Sequence, residues 1–295
     1  LPHSFLMTAN HQSDASAFTL PPSALPTKVI EPRRGWLSIN WREIWRYREL
    51  LYFLTWRDVT VRYKQTTLGI LWAFIQPFMK LVVFSVIFGG LAKIDSEGYP
   101  YPIFLYSALL PWQFFSEALS RSSTSVLGSS NLITKVYFPR LIVPMASIGG
   151  GLVDFAIEFL ILFGLMFYYH VPPTLTALWI VPLVFLTVLT ALGAGIFLSS
   201  LTITYRDFRY VIPFGIQIWM YVTPVIYPVK AIPQKWQWII LLNPMSGIVE
   251  AYRAAILGRA IPWSQLGLSL SVAGIVCLLG LYYFRKTEST FADIV

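Results

Sequence analysis

Charged residues and cysteine are both scarce in this chain of 295 residues. Charged side chains make up 12% of the sequence, against about a quarter in soluble globular proteins, whereas hydrophobic residues reach 56%. This composition excludes an ordinary soluble domain and a disordered chain. The single cysteine, Cys277, excludes an internal disulfide, and the three histidines (His3, His11 and His170) lie far apart. No metal site is therefore expected in the chain.

The sequence also lacks the glycine-rich phosphate-binding loop that ends in Gly-Lys-Ser or Gly-Lys-Thr. We therefore expect neither an ATPase site nor a cofactor in this chain, and no enzymatic activity of its own. The net charge is +8. In an apolar chain, this excess indicates lysine and arginine retained on the cytoplasmic side of a membrane rather than binding to nucleic acid.

Six long apolar segments predict an all-α integral membrane protein with six transmembrane helices. The first would form a helix about 36 Å long, which is enough to cross a bilayer. Because six is an even number, both termini are expected on the same side. The predicted spans are Leu68–Leu91, Ile103–Leu119 with a continuation to Leu127, Leu141–Tyr169, Leu175–Leu201, Val211–Tyr227 and Leu266–Phe284.

The positions of lysine and arginine predict which side carries the termini. Sixteen of them fall before the first span, in the loops at 120–140 and 202–210, or after the last span, whereas five fall on the opposite side. Cytoplasmic loops of membrane proteins carry such an excess. The sequence therefore predicts a multi-pass protein of the plasma (inner) membrane with both termini in the cytoplasm.

The segments around the spans differ in character. Residues 1–35 contain five prolines and are expected to form a disordered cytoplasmic tail, and residues 286–295 a second cytoplasmic tail. Residues 36–64 place apolar side chains at helical spacing and arginines on other faces, which predicts an amphipathic helix in the headgroup layer. The transmembrane domain would then cover residues 65–285.

The stretch 233–257, which precedes the last span, is interrupted by Asn243 and Pro244, and each half is too short to cross a bilayer. Asparagine is a good N-cap and proline a good first helical residue, so a second short helix is predicted to begin there. The pattern predicts a re-entrant helix pair, whose backbone must be buried in protein or line a wet cavity.

Four motifs stand along the chain: WRDVTVRYKQTTLGILWAFIQP (Trp56–Pro77), NLITKVYFPR (Asn131–Arg140), YRDFRY (Tyr205–Tyr210) and LNPMSGIVEAYR (Leu242–Arg253). Together they resemble the permease subunits of type-two ATP-binding-cassette exporters, which move O-antigen, capsule or teichoic-acid polysaccharides. The resemblance covers about residues 40–285. It implies a separate ATPase subunit in two copies that holds ATP and Mg, a second copy of the permease (a homodimer), a lipid-linked polysaccharide substrate and contact with membrane lipid.

The segment Asn131–Phe138 is short, lies on the basic side and is closed by a proline. Asn131 is expected to cap it as a helix. The resemblance implies that this is the coupling helix, which docks onto the ATPase; a plain loop at the headgroups is the alternative. The implied contacts are three apolar anchors and one cation: Val136, Tyr137, Phe138 and Lys135.

Aromatic residues recur in three of the predicted spans. An aromatic ring is a smooth surface on which the C–H face of a sugar can lie, so part of a substrate channel is predicted to be aromatic, with a stripe from Trp72 to Phe88. Tryptophan and tyrosine also gather at bilayer interfaces, and lipid-facing or core packing is the alternative. The channel candidates are Trp72, Phe74, Phe78, Phe84, Phe88, Trp112, Phe115, Trp219 and Tyr221.

Three charged residues within predicted spans are candidates for buried charge: Lys80, Asp154 and Glu158. A charge at the centre of a membrane helix costs about 2.5–3.5 kcal/mol or more, so these residues should face protein or water. Pairing of Lys80 with Asp154 or Glu158 is the preferred hypothesis, and a proton relay is the alternative. On the second re-entrant helix, Glu250 and Arg253 are three residues apart, so they are expected either to pair or to cap a gate.

These features favour the membrane subunit of an ATP-driven exporter that moves lipid-linked polysaccharide from the cytoplasmic side across the plasma membrane. A proton-coupled secondary transporter using Asp154 and Glu158 is the second hypothesis, although no inverted repeat is visible in the sequence. A membrane enzyme acting on lipid-linked sugar is the third. It would need a cluster of histidine or acidic residues near one interface, and the sequence shows none.

Overall fold

The computed structural model describes residues 41–64, 69–288 and 291, and every regular element in these ranges is helical. The tail predicted for residues 1–35 lies outside the described residues. The α-helices of the described chain are α1 Trp41–Arg46, α2 Arg48–Lys64, α3 Trp72–Phe84, α4 Tyr101–Gly128, α5 Ser130–Lys135, α6 Ile142–Tyr168, α7 Ile180–Thr204, α8 Phe208–Val222, α9 Gln234–Leu241, α10 Pro244–Ile256 and α11 Trp263–Glu288.

Short segments of other helix types extend some of these elements. Gly69–Leu71 is a 3-10 turn that leads into α3, and Leu175–Trp179 does the same for α7. Ser85–Leu91, which continues α3, is π-helical. Its wide turns bring the backbone N–H of Ala92 to the carbonyl of Ile87, five residues earlier, at 2.8 Å.

Four helical stretches of the described chain are long and apolar enough to cross a membrane: Gly69–Leu91, Ile142–Tyr168, Leu175–Thr204 and Trp263–Glu288. They support an all-α membrane protein, although they account for four of the six predicted spans. The other two predicted spans correspond to α4 and α8. The 28 residues of α4 extend about 42 Å, whereas the 15 residues of α8 extend about 22 Å, less than the hydrocarbon core of about 30 Å.

The helix predicted over Val211–Tyr227 ends early, at Val222. Thr223 is extended, with φ −83° and ψ 138°. The ring of the following Pro224 disfavours the helical conformation at the residue before it. This proline, and not the end of the apolar run, therefore sets the end of α8.

The helix predicted for residues 36–64 consists of two pieces in its described part, divided at Tyr47. Its second piece, α2, packs against α6. A Cβ atom at Gly149 of α6 would lie 3.1 Å from Oγ1 of Thr55, so a glycine at this position lets the two helices approach closely. This contact holds the middle of α2 against the first third of α6.

Helix α4 forms the centre of the bundle and packs against α6, α7, α8 and α10. Most of its side chains are buried. Two glycines of α7 face different neighbours. A Cβ atom at Gly193 would lie 2.6 Å from Cα of Cys277 on α11, and a Cβ atom at Gly195 would lie 2.5 Å from Oγ of Ser122 on α4. The small residues of α7 thus allow close helix packing on two sides.

The break between α9 and α10 lies where the sequence predicts it. The Asn243 side chain accepts a hydrogen bond from the backbone N–H of Met245 at 3.0 Å, and Pro244 is the first residue of α10. The indole N–H of Trp219 donates to the same amide oxygen at 3.0 Å, and the Asn243 amide nitrogen donates to Oγ1 of Thr223 at 2.8 Å. The N-cap prediction is confirmed, and the break is tied to the end of α8.

Candidate functional site

A cavity of about 690 Å³ lies where the end of α2 meets α3, α4, α6 and α8. Its volume falls in the range of small-molecule binding sites, but its lining carries many more charges than is usual for one. The structure thus brings together four of the predicted site residues, Trp72, Lys80, Asp154 and Glu158. The polar side chains around them are Arg62, Tyr63, Gln76, Gln113, Ser116, Glu117, Ser120 and Arg121.

Asp154 of α6 binds three side chains from two other helices. At the end of α2, Arg62 and Tyr63 each donate to one of its two carboxylate oxygens. Arg121 of α4 donates to Oδ2 at 3.2 Å and also pairs with Glu117, one turn earlier on the same helix. The predicted pairing of Lys80 with Asp154 is therefore wrong, because two arginines occupy this carboxylate. We call these five residues the Asp154 network.

Glu158 lies one turn further along α6 and is also buried. Lys80 projects from α3 into the same cavity, but no ion pair within 4.0 Å joins it to Glu158 in the described chain. Lys80 is exposed rather than buried. The sequence therefore located these charges correctly in the spans, but the direct pairing of Lys80 with Glu158 is absent from the described contacts.

Three buried polar atoms at this cavity have no hydrogen-bond partner in the described structure: the amide nitrogen Nε2 of Gln113, the guanidinium nitrogen Nη1 of Arg121 and the carboxylate oxygen Oε2 of Glu158. Gln113 and Glu158 are 6% and 5% exposed, respectively. Burying a polar group without a partner costs free energy, so most such groups in proteins are satisfied by protein, water or ligand.

The aromatic channel candidates divide into two groups. Trp72, Phe74 and Phe78 on α3 are exposed, and the rings of Phe74 and Phe78 are stacked with their centroids 6.2 Å apart. Phe84 and Phe88 lie further along, half-buried against the core. Phe84 ends the α-helical part and Phe88 lies in the π-helical part, and because both are half-buried the predicted stripe is not one continuous exposed face.

The second group forms a buried cluster between α4 and α8. The Trp219 ring meets Trp112 and Phe115 edge-on at centroid distances of 6.2 and 5.2 Å. Trp112 and Phe115 are buried in the core of the chain, so they do not form its surface. Tyr221, near the end of α8, is exposed.

The predicted coupling segment is helical over a shorter range than expected. Helix α5 ends at Lys135, and Asn131 lies inside it without capping it, because the helix begins one residue earlier. Val136 is extended, with φ −132° and ψ 133°. Tyr137 is 71% exposed and Phe138 only 4%, so Phe138 packs in the chain's own core and is not available as an anchor for a partner.

Helix α10 carries a fully buried arginine. Arg253 donates to Glu250 Oε2 at 2.6 Å and to the carbonyls of Pro224 and Val225 at 2.9 and 3.0 Å. Its guanidinium also lies 4.0 Å from the centroid of the Phe104 ring. The predicted pairing of Glu250 with Arg253 is confirmed. We call these five residues the Arg253 network; it binds α10 to the segment after α8.

Glu97, in the loop before α4, is a residue that the sequence did not single out. It pairs with Arg259, in the loop after α10, and with Lys230 at 3.2 Å. Burial would raise the pKa of Glu97, but the hydrogen bonds and charges of Arg259 and Lys230 outweigh it, and the pKa lies below its usual value. This carboxylate joins three loops.

Arg62, Arg121 and Gln113 were not among the predicted site residues. One signal was available for the latter two, because each is a polar residue in a long helix that is otherwise largely buried. Arg62 gave no such signal, since arginines are common in a helix at the headgroups.

The comparisons with known proteins agree with this architecture. Residues 49–257 match the family of ABC-2 type transporters. The chain belongs to this family. The O-antigen export system permease protein RfbA of Klebsiella pneumoniae is 28% identical over 248 residues, 84% of this chain and 95% of that protein. RfbA of Myxococcus xanthus is 28% identical over 258 residues (86% and 98%), and the polysialic acid transport protein KpsM of Escherichia coli is 23% identical over 244 residues (79% and 91%).

In this ABC-2 transporter, the matched region begins in α2 and ends just after α10. It therefore contains the cavity, α5 and both networks, while α11 lies beyond it. The resemblance inferred from the four sequence motifs is confirmed.

Proposed function

We propose that this chain is the membrane-spanning permease subunit of an ATP-driven exporter that moves lipid-linked polysaccharide from the cytoplasmic side across the plasma membrane. The observation that carries the proposal is the likeness of most of the chain to permease proteins named for O-antigen export. The family match and the apolar helices of the fold support it.

In this proposal, the chain supplies the path and a partner supplies the energy. The sequence has no phosphate-binding loop, so ATP and Mg would bind a separate ATPase subunit. Two ATPase subunits would act on two copies of this chain, with the substrate path between the copies. Trp72, Phe74, Phe78 and Tyr221 are the exposed aromatic residues best placed to line it.

The proposed topology has six crossings, with α4 as the second and α8 as the fifth, and both termini in the cytoplasm. The large length of α4 supports the second crossing. The fifth needs the extended residues after α8, and α9 with α10 would form a re-entrant outer gate behind it. Trp45, Tyr52 and Trp56 are exposed on α1 and α2, which supports a position of these helices in the headgroup layer.

The proposed contact with the ATPase is α5 together with Val136 and Tyr137. These two side chains are exposed next to the cation of Lys135, which suits a hydrophobic contact with a polar rim. Asn131 and Lys135 would contribute polar contacts, and Phe138 would brace the segment from behind.

The substitution Tyr137→Ser tests this contact. Losing a central aromatic anchor is expected to weaken binding of the ATPase subunit about tenfold or more and to reduce polysaccharide at the cell surface. Both are measured in cells, by co-purification of the ATPase and by immunoblotting of the surface polymer. Tyr168→Ser is the matched control, because it removes an equally exposed tyrosine from the far end of α6. Normal export by the Tyr137 variant would contradict the proposed contact.

The secondary-transporter hypothesis is not favoured. A proton relay through Asp154 and Glu158 needs both carboxylates to be free to exchange protons, and Asp154 is held by two arginines and a tyrosine. That arrangement supports a structural role for this residue.

A further inference from the structure

The cavity beside the Asp154 network has properties that its structural role does not require. A site that only held helices together would use its polar atoms on one another, as Asp154 uses both oxygens. Here Gln113, Arg121 and Glu158 each bring an unused polar atom to the same cavity, the first two as donors and the third as an acceptor. With about 690 Å³ of space, the cavity has room for a polar guest.

The charges around the cavity indicate which kind of ligand it accepts. The formal charges of its lining cancel, with three cations and three anions: Arg62, Lys80 and Arg121 against Glu117, Asp154 and Glu158. Both arginines already pair with carboxylates of this chain, and Nη1 of Arg121 is the guanidinium nitrogen of Arg121 that has no partner in the described structure. An anionic guest would therefore find no surplus of positive charge and would meet the carboxylate of Glu158.

We propose that this cavity is a saccharide subsite, which binds an uncharged, hydroxyl-rich sugar residue of the polymer. The amide nitrogen of Gln113 donates to a sugar oxygen, and Glu158 Oε2 accepts from a sugar hydroxyl. The exposed ring of Trp72 lies at the same cavity and offers a flat surface to the C–H face of the sugar. The inference rests on the proposed function and narrows its substrate class to neutral glycans.

The test measures binding to the full-length chain in lipid nanodiscs by saturation-transfer NMR. The probes are neutral hexasaccharides of glucose, galactose or mannose, with hexasialic acid as the anionic probe of equal length. We expect saturation transfer to at least one neutral probe and none to hexasialic acid. Transfer to none of the neutral probes, or stronger binding of hexasialic acid, overturns the proposal.

Two variants locate the binding within the cavity. Gln113→Leu removes the donor, and Glu158→Gln replaces the acceptor charge at nearly constant shape. Each is expected to weaken binding of the neutral probe about threefold to tenfold, the range for the loss of one hydrogen bond. Gln265→Leu is the control, since the same substitution on α11 lies outside the cavity. Unchanged binding in both cavity variants means that only water occupies the site and overturns the proposal.

The thermal unfolding midpoint separates binding from folding. Because the Gln113 amide nitrogen has no partner in the described structure, Gln113→Leu is expected to leave the midpoint unchanged or raise it. A large fall would show that the amide serves the fold, and it would overturn the role of Gln113.

Deleting the gene for this chain and complementing the cells with each cavity variant distinguishes failure of the saccharide subsite from failure of the proposed export function. If the cells without the chain lose surface polysaccharide and both cavity variants restore it fully, the exporter function stands and the subsite falls. If they keep normal surface polysaccharide, the proposed function itself fails, whatever the probes bind.

Discussion

The Asp154 network and the Arg253 network are built from the same chemical groups, guanidinium and carboxylate, but they use them differently. Arg253 is fully buried, and a carboxylate, two backbone carbonyls and an aromatic ring surround it. Asp154 lies at the edge of a cavity, among arginines that are partly exposed. The Arg253 network connects two segments, whereas the Asp154 network connects helices and leaves a cavity with polar atoms beside them.

The difference shows how one set of side chains serves either rigidity or binding. A fully buried cation that binds a carboxylate and two carbonyls has little to offer a ligand, and its loss leaves those partners unsatisfied. A network beside a cavity can hold three helices in place and still present groups to a guest. Substitutions in the two networks should therefore differ in what they damage.

The largest effect is expected from Arg253→Ala. It leaves the Glu250 carboxylate and two carbonyls buried without their donor, and removing one partner of a buried pair costs about 3–5 kcal/mol of unfolding free energy. Chemical unfolding in detergent micelles measures the loss. Arg259→Ala is the control: Glu97 keeps its contact with Lys230 there, so the cost should be about 1 kcal/mol or less. Equal losses of unfolding free energy in the two variants would contradict the special role of the buried Arg253.

A smaller effect is expected from Asp154→Asn. The amide keeps the shape but loses the charge that holds Arg62 and Arg121, which should lower the unfolding free energy by about 1–3 kcal/mol. The loss should be concentrated in α2, whose backbone amides would exchange with deuterium faster than those of α10. Uniform exchange across the chain would contradict a local role for this network.

The same variant separates the exporter from the secondary transporter. If Asp154 carried protons, Asp154→Asn would abolish transport, and dissipating the proton gradient would do the same to the native chain. In the exporter, polysaccharide still reaches the surface as long as ATP is present. Surface staining with and without an uncoupler decides between the two.

The smallest effect is expected at Glu97, where pH sharpens the comparison. Because its folded-state pKa lies below the unfolded value of about 4.3, its contribution to stability is complete above that pH and is lost as the pH falls through the folded pKa. Glu97→Gln should remove this acid dependence and cost about 1 kcal/mol near neutral pH. Unfolding midpoints at pH 3 to 7 test both statements; an unaltered acid profile would contradict them.

Features that depend on neighbouring residues could be predicted from the sequence. Asn243 and Pro244 specify the start of α10 because an N-cap and a first helical proline act within one turn. The continuation of the second span beyond Leu119 was also predictable, since no breaker interrupts the helix before Gly128.

Features that depend on how helices meet could not be predicted. Asp154 binds Arg62 from 92 residues away, and this contact exists only because glycines on α6 let α2 approach. The prediction of a helix over residues 131–138 was wrong at its end for a different reason. In an extended segment, neighbouring side chains point to opposite sides, so Tyr137 faces outward and Phe138 inward.

The π-helical segment Ser85–Leu91 has a consequence for how the length of this chain can change. In a π-helix each hydrogen bond spans five residues instead of the four of an α-helix, so each turn contains about one extra residue. Deleting a single residue here can be absorbed by tightening the turn into an ordinary helix. The same deletion in the middle of α4 would rotate every later side chain by about 100° and turn its buried face outward. Among natural variants and engineered chains, length changes should therefore collect in the wide turns and spare the central helix.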